Sequence, residues 1–202
     1  MQHYTTYHYG DQGICDHGWG CSYRNAQTVA SAMGQPVPTL PKMLCFFGLT
    51  APAYGGGSRL WIEPPQVAKV LRAQCGIQSK TLVFAPSRGG LLAFERRRML
   101  RSKLSDFDIN IENNSMHLFE QLDQHFKETG GLPAIIDDGI YSFVLAPGRS
   151  KGHPQTYTLI DPHVGRGREG CVRAFWKNDL LLREGWMVLL PTQTKKKSNK
   201  MI

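Results

Sequence analysis

The chain has 202 residues, of which 41% are hydrophobic and 20% charged, values that suit one soluble globular domain and argue against a second independent one. No apolar run approaches the roughly 18 residues needed to span a bilayer, and the first 20 residues are aromatic and polar rather than a signal peptide, so the expected location is the cytoplasm or nucleus. Of the net charge of +8, four lysines (Lys195, Lys196, Lys197, Lys200) lie on a terminal tail and a second block spans Arg96, Arg97, Arg98, Arg101 and Lys103; neither accompanies a nucleic-acid recognition signature, so both read as solvated faces or a contact for an acidic protein, and no nucleic-acid partner is expected. In chain order, Tyr4 to Tyr9 alternates aromatic and polar residues as a short strand does, and Gly10 to Gly20 is rich in turn formers. A buried helix is expected from Cys21 or just before it to Ala32, carried by Ala26, Val29, Ala30 and Met33 and ended by Gly34 and Pro36. Val37 to Pro41 reads as a linker, Met43 to Leu49 as a short apolar segment, and Gly55 to Gly57 as a flexible loop. Pro65 opens a second helix through Val67, Val70 and Leu71, closed by Gly76. After a strand at Thr81 to Phe84, two helices are expected, a basic one over Leu91 to Lys103 and another over Met116 to Lys127. Strands then follow at Leu132 to Ile136, Tyr141 to Leu145, Thr156 to Ile160, Val172 to Phe175 and Trp186 to Leu190. Helices first and antiparallel strands later make an α+β domain, assigned to residues 1–193, with 194–202 as a basic, disordered tail.

The chemistry-bearing residues gather in two stretches. Cys21 follows Gly18-Trp19-Gly20 at the start of a helix, where backbone N–H groups and the positive end of the helix dipole favour a negative sulfur. His163 stands 142 residues downstream in Asp161-Pro162-His163, within the separation of about 130–150 residues found in papain-like enzymes. On an extended chain Asp161 and His163 project to one side, so the carboxylate can hold one imidazole nitrogen while the other takes the thiol proton. The competing reading of this tripeptide is a turn capped by aspartate. The backbone N–H of Cys21 is one candidate donor to an oxyanion, and Tyr9, folded back by the loop, is a candidate second, against a plain strand aromatic. Gly18 and Gly20 could leave room for a substrate main chain and Trp19 could roof that slot, the alternative for Trp19 being core packing. Five cysteines with no C-x-x-C pair argue against a disulfide framework, and Cys15, His17 and Cys21 crowd one loop too closely for a zinc site, so no metal or cofactor is expected. His3, His8, His117, His125 and His153 have no partner in sequence and read as surface or satisfied histidines.

Four stretches, Tyr7-His8-Tyr9, Gly18-Trp19-Gly20-Cys21-x-Tyr23-Arg24 with Gln27, Gly57-Ser58-Arg59-x-Trp61-Ile62 and Leu159-Ile160-Asp161-Pro162-His163, resemble in order the cysteine proteases specific for ubiquitin-fold modifier, in their short single-domain form. That resemblance implies a papain-like fold with helices packed on a central antiparallel sheet. It implies Cys21 as nucleophile, Asp161 and His163 as its partners, Tyr9 as oxyanion donor and a substrate groove near Trp19 and Trp61. Such enzymes cleave after the terminal glycine of the modifier, both in its precursor and in conjugates on target lysines. Recruitment to the endoplasmic reticulum surface by an adaptor is compatible with this reading. Autophagins, which process the ubiquitin-like modifier of autophagy, look similar around the G-W-G-C and D-P-H stretches and are the competing assignment; a non-catalytic adaptor that binds the modifier is another. Glu63-Pro64-Pro65-Gln66 and Val164 depart from the family pattern, which has a glycine and an acidic residue after Trp61-Ile62 and an aromatic after the histidine.

Overall fold

The computed structural model describes residues 4–50, 60–84, 109–112, 116–148, 156–177 and 186–192. The expected loop at Gly55 to Gly57, the basic helix over Leu91 to Lys103 and the lysine tail lie outside them. Four α-helices are described: α1 (Cys21–Ala32), α2 (Leu40–Phe46), α3 (Pro64–Cys75) and α4 (Met116–Thr129). The strands are β1 (Gln78–Phe84), β2 (Ile109–Glu112), β3 (Ala134–Asp137), β4 (Ser142–Pro147), β5 (Thr156–Ile160), β6 (Val172–Trp176) and β7 (Trp186–Thr192). They form one sheet in the order β2-β1-β7-β3-β4-β5-β6. All neighbours are antiparallel except β2, which runs parallel to β1 with Thr81 opposite Ile109.

Period-two alternation sends side chains of the central strands to opposite faces. Ile135, Val144, Ile160 and Leu189 meet α1, α2 and α3 on one face through Val29, Leu40, Met43, Val67 and Leu71. Ala134, Ile136, Leu145, Leu159, Val188 and Leu190 turn the other way, where α4 supplies Leu118, Leu122 and Phe126. Both faces are covered, which is why β3, β4 and β7 read as largely apolar runs rather than as alternating ones.

Local signals set the helix ends. Thr39 caps α2, its side chain accepting from the backbone N–H of Lys42. At α3 the carboxylate of Glu63 and the amide of Gln66 form a reciprocal capping box with proline in the first turn, and Gly76 closes the helix at φ 69°. The Glu63 to Gln66 departure from the family pattern is therefore a helix start.

Tyr4 to Tyr9 is extended but joins no ladder. Its backbone N–H groups go to side chains and one distant carbonyl instead: Thr5 to Ser31 Oγ at 2.9 Å, Tyr7 to Thr28 Oγ1 at 2.9 Å and Tyr9 to the Pro162 carbonyl at 2.8 Å. The expected strand is thus a tether that runs along α1 to the far end of β5.

Candidate active site

Cys21 is the first residue of α1 and is buried. The loop before it closes on Asp16, whose carbonyl accepts from Trp19 N at 3.3 Å and Gly20 N at 2.8 Å. Gly18 holds φ 82°, a left-handed conformation with open space where a Cβ would lie. Gly20 differs, because a Cβ there would stand 2.2 Å from Asp16 Oδ2. Its missing side chain admits the Asp16 carboxylate rather than the substrate main chain expected from the sequence. Trp19 is 1% exposed, packed edge-on against the Tyr23 ring at 5.9 Å, and belongs to the core on the helical face; as placed, it fills the core and does not roof a slot. Trp61 is partly exposed and follows Leu60, whose carbonyl accepts the Tyr23 hydroxyl at 3.0 Å, so the segment bearing Trp61 is fastened to the first turn of α1.

The loop is locked from below by an ion pair. Arg24 Nε meets Asp16 Oδ2 at 2.7 Å with neither side chain exposed. Asp16 Oδ1 accepts the Gly10 N–H at 2.8 Å, while the guanidinium also donates to Gln27 Oε1 at 3.0 Å and to the Asp11 carbonyl at 2.7 Å. Gln27 in turn donates to the Pro38 carbonyl at 2.8 Å. Every oxygen and most N–H groups of the pair have partners, the condition under which a buried ion pair is tolerated.

Asp161 follows β5 directly, and its N–H donates to the Cys171 carbonyl at 2.9 Å. Its Oδ1 accepts both the His163 backbone N–H at 3.0 Å and His163 Nδ1 at 2.8 Å. The chain here is a turn, not an extended segment, so the aspartate-capped turn and the carboxylate–imidazole pair are one structure. Asp161 Oδ2 has the Arg173 guanidinium at 3.4 Å. Burial favours the neutral acid, yet the two His163 bonds, the imidazolium charge and Arg173 outweigh it and hold Asp161 below the usual carboxylate range.

His163 reaches Cys21 with its imidazole. Burial opposes the cation, but the Asp161 hydrogen bond and the hydrogen bond and charge of Cys21 prevail and raise His163 to about 9. Rings line three of its sides: Tyr9 at 5.1 Å, Tyr141 at 5.3 Å and Phe143 at 5.4 Å. The Tyr9 hydroxyl lies within hydrogen-bonding reach of both the sulfur and the backbone N–H of Cys21; burial above all, then the Cys21 sulfur, drives its pKa upward, so it stays protonated and able to donate. His17, exposed, lies tilted against the Tyr9 ring at 5.0 Å. Cys21, His163, Asp161 and Tyr9 thus meet at one point, where α1, the tether and the turn after β5 converge. Trp19 and Gly20 lie behind it in the core.

Two residues of this arrangement have roles that the sequence does not spell out. Arg24 stands in the Gly18 to Arg24 motif without an assigned partner, and the loop folds it onto Asp16, eight positions before it. His8, expected to be a surface or satisfied histidine, is fully buried and bonded to the carbonyl of Asp161. His3 and His153 lie outside the described residues.

Residues 1–44 match the model of peptidase family C78. Ufm1-specific protease 2 of Gallus gallus is 31% identical over 195 residues, covering 91% of this chain and 35% of that protein. The Homo sapiens protein of the same name is 35% identical over 195 residues, covering 91% of this chain and 34% of that one. The chain is thus similar to Ufm1-specific proteases over most of its own length, and it spans about a third of the length of those relatives. Ufm1-specific protease 1 of Mus musculus is 39% identical over 101 residues, 47% of this chain and 46% of that protein. The crystal structure of UfSP from C. elegans superposes with a TM-score of 0.58 at 21% identity, over 95% of this chain and 33% of that one, and bears out a papain-like α+β fold.

Proposed function

We propose that this chain is a cysteine peptidase that cleaves after the C-terminal glycine of ubiquitin-fold modifier, as a peptide in the precursor and as an isopeptide on target lysines. The observation that carries the reading is the convergence of Cys21 with a His163 raised to about 9 and tied to Asp161. A cationic imidazole beside the thiol is the resting state of a thiolate nucleophile. Thiolate attack on the glycine carbonyl gives a tetrahedral oxyanion facing the Cys21 N–H and the Tyr9 hydroxyl. Collapse expels the lysine or peptide amine, which takes its proton from His163, and leaves a thioester on Cys21. His163 then removes a proton from water, whose attack frees the modifier with its terminal carboxylate. Asp161 remains ionised throughout and holds the imidazole. No step calls for a metal or cofactor. The substrate comes from the names of the relatives, and all five free thiols suit a reducing compartment such as the cytoplasm. Recruitment to the endoplasmic reticulum surface through an adaptor belongs to the same reading.

The substrate is tested with three precursors, those of ubiquitin-fold modifier, ubiquitin and the autophagy modifier, each extended past its terminal glycine. Cleavage of the first alone supports the reading. Cleavage of the autophagy modifier instead would make the chain an autophagin, and binding without cleavage would make it an adaptor.

Two further outcomes follow from the site. Activity needs His163 as imidazolium beside Cys21, so kcat/KM should fall as pH passes about 9, where His163 loses its proton. A rate profile flat from pH 5 to 10 would contradict the ion pair. Tyr9→Phe removes a hydroxyl donor and nothing else, so kcat should drop by about 10²–10³-fold with KM little changed. A loss below about threefold in steady-state turnover would remove Tyr9 from the oxyanion role.

A further inference from the structure

The two arms of the candidate site come from opposite ends of the chain, Tyr9 from the tether and His163 from the turn after β5, and His8 lies between them. Its side chain is 0% exposed. Nδ1 stands 3.1 Å from the backbone carbonyl oxygen of Asp161 and Nε2 stands 3.0 Å from Thr6 Oγ1. A carbonyl can only accept, so Nδ1 carries the proton and donates, and Nε2 is free to accept from the threonine hydroxyl. The next residue along, Tyr9, donates its N–H to the Pro162 carbonyl at 2.8 Å. Adjacent residues on the tether thus grip adjacent carbonyls of the turn, one by side chain and one by backbone. A second grip comes from the turn's side: Arg166 Nη2 donates to the Thr6 carbonyl at 2.7 Å and meets Asp11 Oδ2 at 2.9 Å. The same Asp11 oxygen accepts the His8 N–H at 2.8 Å. His8 is therefore braced at its backbone and at both ring nitrogens.

We propose that His8 is a positioning residue: by holding the Asp161 carbonyl it fixes the turn that presents His163 to Cys21 and sets the spacing between His163 and Tyr9. It touches neither substrate nor sulfur. The inference rests on the peptidase reading above. Misplacement of a catalytic group by about 1 Å costs about 10²-fold in rate, because the near-attack geometry is lost while the binding surface stays intact. The effect therefore belongs on kcat.

Two variants and two readouts test it. His8→Phe keeps the ring and removes the donor; His8→Asn places an amide nitrogen near the position of Nδ1 and restores it. His8→Phe should lower kcat on modifier precursor about 10–100-fold with KM within about twofold, and His8→Asn should recover most of that loss. Alkylation of Cys21 by iodoacetamide, followed by peptide mass spectrometry to separate it from the exposed Cys15 and Cys45, should slow about tenfold in His8→Phe, since an unsteered His163 leaves less thiolate. Wild-type kcat and alkylation in His8→Phe would overturn the assignment. So would losses in both variants that only track the folded fraction by circular dichroism. If the wild-type chain cleaves no modifier, the substrate assignment fails, and the alkylation rates still decide the role of His8.

Discussion

Replacing His163 with alanine should lower kcat/KM about 10⁴-fold or more, a loss of about 5 kcal/mol of transition-state stabilisation. The size follows from the number of tasks on one ring. His163 holds the thiol proton, hands it to the leaving amine and later activates water, and it is the histidine whose charge and hydrogen bond act on Cys21. His17 lies tilted against the Tyr9 ring, and His8 has both ring nitrogens engaged. Asp161→Asn should cost about as much, about 10⁴-fold, because an amide facing Nδ1 no longer dictates the tautomer. It should also leave a signature that alanine at 163 cannot. Asp161 is the first of the groups that raise His163, so its loss should move the basic limb of the rate profile down from about 9 toward the ordinary histidine range. Steady-state kinetics across pH on the two variants checks both statements. An Asp161→Asn enzyme with an unmoved limb would mean that Cys21 alone sustains the imidazolium.

The largest loss of stability should come from Asp16→Ala. Arg24 is fully buried, and with its carboxylate gone it keeps only the Gln27 and Asp11 oxygens within 3.0 Å. Breaking one side of a buried pair costs about 3–5 kcal/mol. For a chain of this length that corresponds to a fall in Tm of about 10 °C. The Gly10 N–H also loses its acceptor, and the space above Gly20 empties, so the loop that delivers Cys21 should loosen before the domain melts. The double variant Asp16→Ala with Arg24→Met should recover part of the loss, since it leaves no uncompensated charge. Thermal denaturation of the single and double variants reads this directly. A single variant within about 1 kcal/mol of wild type would show that water reaches Arg24 and that the loop is held by other contacts.

What the sequence revealed and what it concealed divide by distance along the chain. Helices α1, α3 and α4 and six of the strands announce themselves through periodicity and through local caps such as Pro65 and Gly76. So do the nucleophile at a helix start and the acid–base pair two residues apart. The four-residue β2 was not expected, because Ile109–Glu112 is too short for a pattern and exists through non-local parallel pairing with β1. The helix over Leu40–Phe46 reads in sequence only as a linker and an apolar segment, since two prolines at its start obscure a Thr39 cap. The tether at Tyr4 to Tyr9 alternates like a strand, yet its hydrogen bonds go to Ser31, Thr28 and Pro162, partners that no local pattern could supply. Gly20 shows the limit most sharply: the absence of a side chain was legible, but its cause, the carboxylate of Asp16 occupying that space, was visible only in three dimensions.

The central claim is that Cys21 is the nucleophile that receives the modifier. It is tested most directly with ubiquitin-fold modifier bearing an electrophile in place of its terminal carboxylate, mixed with the wild-type chain and with Cys21→Ser, His163→Ala and Tyr9→Phe. The account predicts a single covalent adduct on Cys21 in the wild type, none in Cys21→Ser and slow formation in the other two. An adduct on exposed Cys15 or Cys45, or one that forms equally fast without His163, would contradict it.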